Sequence, residues 1–465
     1  MSAEGQRASI EKMRRAGVPD VAIATFEHYY RQLEAGESGL IPEDAIEPVR
    51  ELQDADALPE AGAPLDQAVV IKLNGGLGTS MGMHRAKSLL EVKDGLTFLD
   101  VIARQVLALR EASGARVPLV LMNSFHTRAD SLALLSRYED LAGDVPFDFV
   151  QHKEPKLLAE DLMPVEWPRD PALEWCPPGH GDIYPALLTS GMLATLLDRG
   201  YRYAFMSNAD NLGAVLDPRI LAWFASEGLP YLAEVTERTP ADRKGGHIAV
   251  LRETGGLILR ETAQTPPEDM DAFTDVDRHP FFHVNNLWVD LHALDRLLRE
   301  RDGVLGLPMI VNEKTVDPAD ASTPGVYQLE TAMGAAIGVF TQRPSASGTS
   351  EGARAIRVPR ARFVPVKRTS DLLVVRSDAY VLRDGWRFEL ADGRDRPPLV
   401  ELDEDHFKLL DDFEARFPAG PPSLVRAERL VVRGDVTFGR DVTVVGAVTV
   451  AGPRHVEDGA LLSSA

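Results

Sequence analysis

At 465 residues the chain is too long for one ordinary hydrophobic core, and about two or three folding units are expected. A hydrophobic share of 44% with 26% charged residues excludes a disordered, collagen-like or rod-like main state. The 71 acidic against 50 basic residues give a net charge of −21, which repels a nucleic-acid backbone yet leaves room for small anionic ligands in a local basic pocket. No apolar run approaches the roughly eighteen residues of a membrane span, and the stretch from Met1 to Met13 lacks the apolar core of a secretory signal. Cys176 is the one cysteine, so neither a disulfide framework nor a Cys/His zinc site is available, and a reducing, cytoplasmic setting is expected.

Ala22, Phe26, Tyr29, Tyr30 and Leu33 recur at helical spacing after Pro19-Asp20, which predicts a small helical N-terminal unit. The acidic, Pro- and Ala-rich stretch from Glu51 to Leu65 has no period and reads as a connector. From Ala68 onward short apolar runs end in polar or glycine-rich turns: Val69 to Ile71, Val117 to Met122, Phe147 to Val150, Tyr201 to Met206 and Tyr231 to Val235. These read as buried strands. Amphipathic segments such as Phe98 to Glu111 and Leu187 to Leu197 lie between them, so the central region is expected to be α/β, with its ligand crevice beyond the carboxyl ends of the strands. Near the C-terminus Leu430, Val436, Val442 and Val448 follow one another at six-residue intervals with glycines interspersed. That period predicts a short β-helix, with an ordinary small β-domain as the alternative, and its open edge suggests capping by a second subunit. The expected units are 1–60, a helical unit and connector, 61–375, the α/β region, and 376–465, the C-terminal region with the short β-helix.

Lys72-Leu73-Asn74-Gly75-Gly76-Leu77-Gly78-Thr79-Ser80-Met81-Gly82 follows the first strand directly. Its glycines let the backbone approach a ligand and aim amide N–H groups at an anion, though such a turn is also built for purely structural reasons. It matches neither the Walker pattern nor the dinucleotide fingerprint, since Met81 occupies the third glycine position of the latter. Lys87 follows, either as a solvated surface lysine or as a point charge returned to the loop for phosphate oxygens. Pro177-Pro178-Gly179-His180-Gly181-Asp182-Ile183-Tyr184 presents one imidazole from a rigid loop poor in side chains. Ser207 to Gly213 ends a strand with Asp210, placed either to cap a turn or to hold a magnesium ion shared with phosphates. Val364 to Leu373 sets Lys367 and Arg368 at the end of a short apolar strand, before a Ser-Asp pair able to cap a helix, although such charge pairs usually face solvent.

Together these residues resemble the eukaryotic-type UTP–glucose-1-phosphate uridylyltransferase family. The resemblance rests on Leu73 to Gly82, Met122-Asn123-Ser124-Phe125, Gln151-His152-Lys153, the Pro177 to Tyr184 stretch and Asn208 to Gly213. It continues through Glu234-Val235-Thr236, Lys244-Gly245-Gly246, Asn285-Asn286-Leu287-Trp288, Gln328 to Ala332 and Pro365-Val366-Lys367. It implies a Rossmann-like nucleotidyltransferase core with a mixed sheet, which makes 61–375 the catalytic domain, a small helical N-terminal unit and a C-terminal domain with a short left-handed β-helix. It also implies the reaction of UTP with glucose 1-phosphate to UDP-glucose and pyrophosphate, with Mg2+. Under it Leu73, Asn74, Gly75, Gly76 and Gln151 contact the nucleotide, Gly179 the uracil and Lys87 the phosphates. His180, Asn208, Asn286, Glu330 and Lys367 serve the sugar phosphate, Asp210 holds the metal, and Lys87, Lys367 and Asp210 are the catalytic set.

An ionised sugar phosphate needs no general base, so direct displacement with charge neutralisation is expected, with a histidine-bound intermediate on His180 as the minor alternative. The alternatives to glucose are N-acetylhexosamine or mixed sugar 1-phosphates, and the alternative to an enzyme is a non-catalytic nucleotide-sugar sensor. One departure is noted: His84-Arg85-Ala86 replaces the family's usual Lys-Gly-Pro before the lysine, removing a rigid proline from the loop.

Overall fold

The computed structural model describes residues 2–239, 242, 245–341 and 352–463. At its centre lies a mixed sheet with the strand order Gln53–Asp54, Arg354–Arg357, Tyr231–Glu237, Phe281–Asp290, Tyr203–Asn208, Ala68–Asn74, Leu119–Asn123 and Asp148–Val150. Phe281–Asp290 runs antiparallel to both its neighbours on this path, and the other adjacent pairs are parallel. All five apolar runs read as strands belong to this sheet. Val69 and Ile71 pack with Met206 and Leu287 on one face, whereas Val70 packs with Phe205 and Trp288 on the other. Burial of both faces explains why these strands read as continuous apolar runs instead of alternating ones.

The expected helix after Pro19 spans Asp20–Glu34, and the polar stretch before it is itself a helix, Ser2–Arg15, packed against it. Phe98–Ser113 starts on a capping box between Thr97 and Asp100 and stops at Gly114, whose φ of 71° ends the helical path. The segment from Leu187 to Leu197, expected as one helix, belongs to two, Ile183–Thr189 and Met192–Asp198. Gly191 with φ 75° separates them. The connector from Glu51 also differs from expectation, because Gln53–Asp54 forms the sheet's edge by pairing with Arg354–Arg357. The apolar run ending in Lys367 is no strand; an isolated bridge joins Pro365 to Asn211, and Val364 and Val366 are buried in the apolar cluster shared with the tail.

In the tail, Leu430, Val436 and Val442 point inward and are fully buried. Leu430 pairs with Val448, and Val436 with Arg454, in parallel register, so each coil takes eighteen residues or three hexads. Stacked parallel strands of this kind are the architecture that hexad spacing predicts. The tail shares its core with the region of the glycine-rich loop: Met81, Met83 and Phe98 belong to one apolar cluster with Leu372, Phe407, Phe417 and Val442.

Inside the first strand Lys72 is buried, its Nζ donating to Ser207 Oγ at 2.7 Å and to the Ala214 carbonyl at 2.6 Å. Burial, and to a smaller degree Arg362, pushes the ammonium down to about 7, with Glu234 acting in the opposite sense. An unfolded lysine keeps its proton to about pH 10.4. Between about pH 7 and 10 the unfolded chain therefore binds more protons, and this group makes stability rise with pH, by up to ~1.4 kcal/mol per unit. Lys72→Met should flatten that rise when urea unfolding is measured at pH 7 and pH 9. Identical pH slopes in variant and parent would show that the lysine is charged in the folded state.

Candidate active site

Ala68–Asn74 pairs with Leu119–Asn123 on one side and Tyr203–Asn208 on the other, all three parallel, so the chain order reverses about this strand. Such a switch point opens a crevice at the carboxyl ends of the strands. Register pairs Leu73 with Asn208, which brings the glycine-rich loop beside the turn that carries Asp210.

The loop is anchored from below. Asn74 Nδ2 donates to Asn123 Oδ1 and to Ser131 Oγ, both at 2.7 Å, so the side chain is committed to the scaffold and the backbone is what faces a ligand. A Cβ on Gly75 would lie 2.7 Å from Gln151 Oε1, which shows the Gln151 amide resting against the loop. Gly76 accepts the Lys87 N–H at 3.0 Å, folding the lysine back onto the loop it follows. Gly78 and Gly82 take positive φ values of 64° and 76°, a conformation that favours glycine.

Three side chains from separate segments then meet. Lys87 Nζ lies 2.6 Å from Asp210 Oδ2, and Lys367 Nζ lies 3.2 Å and 3.0 Å from Oδ1 and Oδ2 of the same carboxylate. Burial opposes ionisation of Asp210, but Lys367 and Lys87 outweigh it and hold the carboxyl below the usual range. The pair formed by Lys367 is the more open, with 54% of that side chain exposed against 14% for Lys87, so Lys367 is the cation freer to turn toward an incoming anion.

His180 completes this wall. Its Nδ1 accepts the Met333 N–H at 2.9 Å, which leaves the proton of the neutral ring on Nε2. Burial, assisted by the positive charge of Lys367, pushes the imidazolium down to about 4, so the ring is neutral at neutral pH and Nε2 is a hydrogen-bond donor. The loop before it is braced by Asp182, which accepts His152 N–H at 2.6 Å and lies 2.7 Å from His152 Nδ1; His152 Nε2 is 2.8 Å from Thr189 Oγ1. This brace ties Gln151, one residue away, to Gly179 and His180.

Of the residues singled out from sequence, Leu73, Gly75, Gly76, Lys87, Gln151, Gly179, His180, Asn208, Asp210 and Lys367 lie on these converging segments. Asn286 does not. It is fully buried on the opposite face of its strand, where Nδ2 donates to Glu234 Oε2 at 2.9 Å. Its neighbour Asn285 has φ 56° and lies two positions beyond the Met206–Leu287 pair. Alternation along the strand was the signal that could have separated the two asparagines. Glu330 lies behind Gly179, lining a small cavity with Glu154 and Tyr29, and burial raises its carboxyl above the usual range. It is not grouped with the lysines. Lys244 lies outside the described residues.

A mixed α/β sheet with a glycine-rich loop and two lysines gathered on one carboxylate at its switch point defines a nucleotidyltransferase. Residues 23–445 match the family described as UTP–glucose-1-phosphate uridylyltransferase, and the chain belongs to that family. It is 41% identical to the UTP–glucose-1-phosphate uridylyltransferase of Hordeum vulgare over 432 residues, 91% of this chain and 85% of that protein. Among solved structures, a mutant UDP-glucose pyrophosphorylase of Leishmania major in complex with UDP-glucose superposes with a TM-score of 0.92 at 44% identity, covering 99% of this chain and 98% of that one. A Trypanosoma brucei UDP-glucose phosphorylase gives 0.89 at 42%, covering 99% and 100%.

Gly179 has φ 78° and ψ 178°, a region essentially reserved for glycine, and a Cβ there would stand 2.6 Å from the Thr331 carbonyl oxygen. Gly179→Ala should therefore displace this loop and raise KM for UTP at least about tenfold, ~1.4 kcal/mol of binding. Steady-state kinetics alongside thermal unfolding would check it; an unchanged KM in a folded variant would dissociate the loop from nucleotide binding.

Proposed function

We infer that the chain transfers the uridylyl group of UTP to glucose 1-phosphate, giving UDP-glucose and pyrophosphate. The observation that carries this reading is the Lys87–Asp210–Lys367 cluster at the mouth of the glycine-rich loop. Both substrates are polyanions, and the barrier to their meeting is chiefly electrostatic. Lys87 lies on the loop side and serves the nucleotide phosphates. Lys367 approaches from the opposite segment and serves the phosphate of glucose 1-phosphate. Backbone N–H groups of the loop receive the nucleotide, Gln151 and the Gly179 backbone hold the base, and Asn208, with Asn285 in place of Asn286, faces the sugar.

The sugar phosphate is itself the nucleophile. A covalent uridylyl-histidine is disfavoured by the state of His180: its Nε2 bears the proton, and the lone pair on Nδ1 is engaged by the Met333 N–H. His180 instead donates a hydrogen bond to a phosphate or sugar oxygen.

A magnesium ion fits this site in one way. Among the described residues no group of three or more His, Cys, Asp or Glu side chains could hold a metal, so Asp210 would be its one carboxylate and the substrate phosphates would complete the shell. When bound, it neutralises charge on the phosphates being transferred. A cytoplasmic setting accords with Cys176, a buried thiol that needs no disulfide partner. A homo-oligomer would form through the tail, where Leu461 on the terminal edge strand is exposed.

Asp210→Ala and Lys367→Ala should each lower kcat at least about tenfold, ~1.4 kcal/mol of transition-state stabilisation. Magnesium-dependent release of pyrophosphate from UTP, assayed in parallel with glucose, galactose and N-acetylglucosamine 1-phosphates, measures both the reaction and its sugar preference. Wild-type turnover in either variant would remove that residue from the mechanism.

A further inference from the structure

Lys367 sits on a segment with no strand or helix of its own until Thr369, yet its ammonium must be held within about 3 Å of Asp210. What fixes it lies beneath the crevice. Arg362 makes a two-pronged contact with Glu234, Nε to Oε2 at 2.8 Å and Nη2 to Oε1 at 2.5 Å, and Glu234 is completely buried. Asn286 Nδ2 and Trp288 Nε1, each at 2.9 Å, donate to the same carboxylate, one on either oxygen. The carboxylate thus has four donors, and Arg362 is pinned to the central sheet.

From Arg362 the restraint passes to Asn211. Asn211 Nδ2 donates to the Arg362 carbonyl at 3.1 Å and to Asn286 Oδ1 at 3.2 Å, while its Oδ1 accepts the Val364 N–H at 2.8 Å and the Gly213 N–H at 3.2 Å. Backbone bonds extend the seam in both directions: Leu212 N–H to the Val364 carbonyl, and Val366 N–H to the Asp210 carbonyl, both at 3.1 Å. Gly213 permits this approach, since a Cβ there would stand 2.3 Å from the Ala361 carbonyl oxygen. One side chain therefore stitches the turn bearing Asp210 to the segment bearing Lys367, and every atom it uses is buried.

We propose that Asn211, backed by the Arg362–Glu234 pair, is a positioning residue that sets Lys367 over Asp210 for the sugar phosphate. This deepens the role given to Lys367 above and rests on it. Asn211 acts on neither lysine directly; it fixes the backbone at Arg362 and Val364, three residues and one residue before Pro365. A merely structural role would lower stability and leave the coupling to Lys367 absent.

The test is a double-mutant cycle read in kcat and in KM for each substrate, with thermal unfolding as the control for folding. Asn211→Ala in the parent should lower kcat at least about fivefold and raise KM for glucose 1-phosphate, leaving KM for UTP within about twofold. In the Lys367→Ala background the same change should alter kcat by less than about twofold, because the group it positions is gone. Independent, multiplying losses would overturn the proposal, as would a parent-like kcat in an Asn211→Ala protein of lowered Tm. Gly213→Ala is the second arm. Its φ is not positive, so the added methyl acts as a wedge between the two segments without backbone strain of its own. It should reproduce the kinetic pattern of Asn211→Ala, and it carries the cycle alone if that variant does not fold. Lys367→Ala at full activity would remove the role of Lys367 itself, an outcome distinct from failure of the cycle.

Discussion

Two ammonium groups gathered on one half-buried carboxylate are the interaction on which the rest of the active site depends. In a chain of net charge −21 the long-range field opposes binding of nucleotide and sugar phosphate alike. At the 2.6 to 3.2 Å separations seen here, inside a partly desolvated crevice, local charge outweighs that field, which salt screens over about 8 Å. Asp210 keeps Lys87 and Lys367 together before any substrate arrives, since two like charges in one cleft would otherwise separate. On the function proposed above, incoming phosphates would compete with Asp210 for cations already in place, leaving little reorganisation for the reacting complex.

The surrounding fold serves this arrangement at three levels. Register between the first strand and Tyr203–Asn208 sets the glycine-rich loop beside the Asp210 turn. Asn74, Asn123 and Ser131 hold the loop from below, and His152 with Asp182 braces the loop of Gly179 and His180. The tail adds a third support, since its core runs without a break into Met81 and Met83 of the glycine-rich loop and its continuation. A change in tail packing is thereby felt at the loop, for interiors at crystal-like density transmit displacement instead of absorbing it.

The buried polar seam from Glu234 to Asn211 illustrates why such networks are kept in a core that apolar side chains could fill more cheaply. An ion pair of this kind adds little net stability, but with all its donors satisfied it specifies a single arrangement of the segments it joins. Here the segments are the two that carry Asp210 and Lys367.

Much of this was legible in one dimension. Apolar runs ending in glycine or Asn/Asp turns marked the strands of the central sheet, hexad spacing marked the stacked coils of the tail, and the loops holding Gly76, Lys87, His180, Asp210 and Lys367 stood out by residue type. These features are local, dictated by backbone freedom and the period of side-chain burial. What the linear order could not specify was orientation and company. Asn286 looked like a sugar ligand and is a scaffold residue, because one step along a strand exchanges the two faces of the sheet. Asn74 turned its amide into the core, the connector after Glu51 supplied an edge strand, and the run before Lys367 proved to be a tether instead of a strand. Asn211 and Glu234 lie inside blocks that carry the resemblance and Arg362 lies in none, but nothing in those blocks told their part, since it arises from contacts between segments more than a hundred residues apart. The chemistry of the site was written in residue types, whereas its geometry exists only once distant segments pay the entropy of meeting.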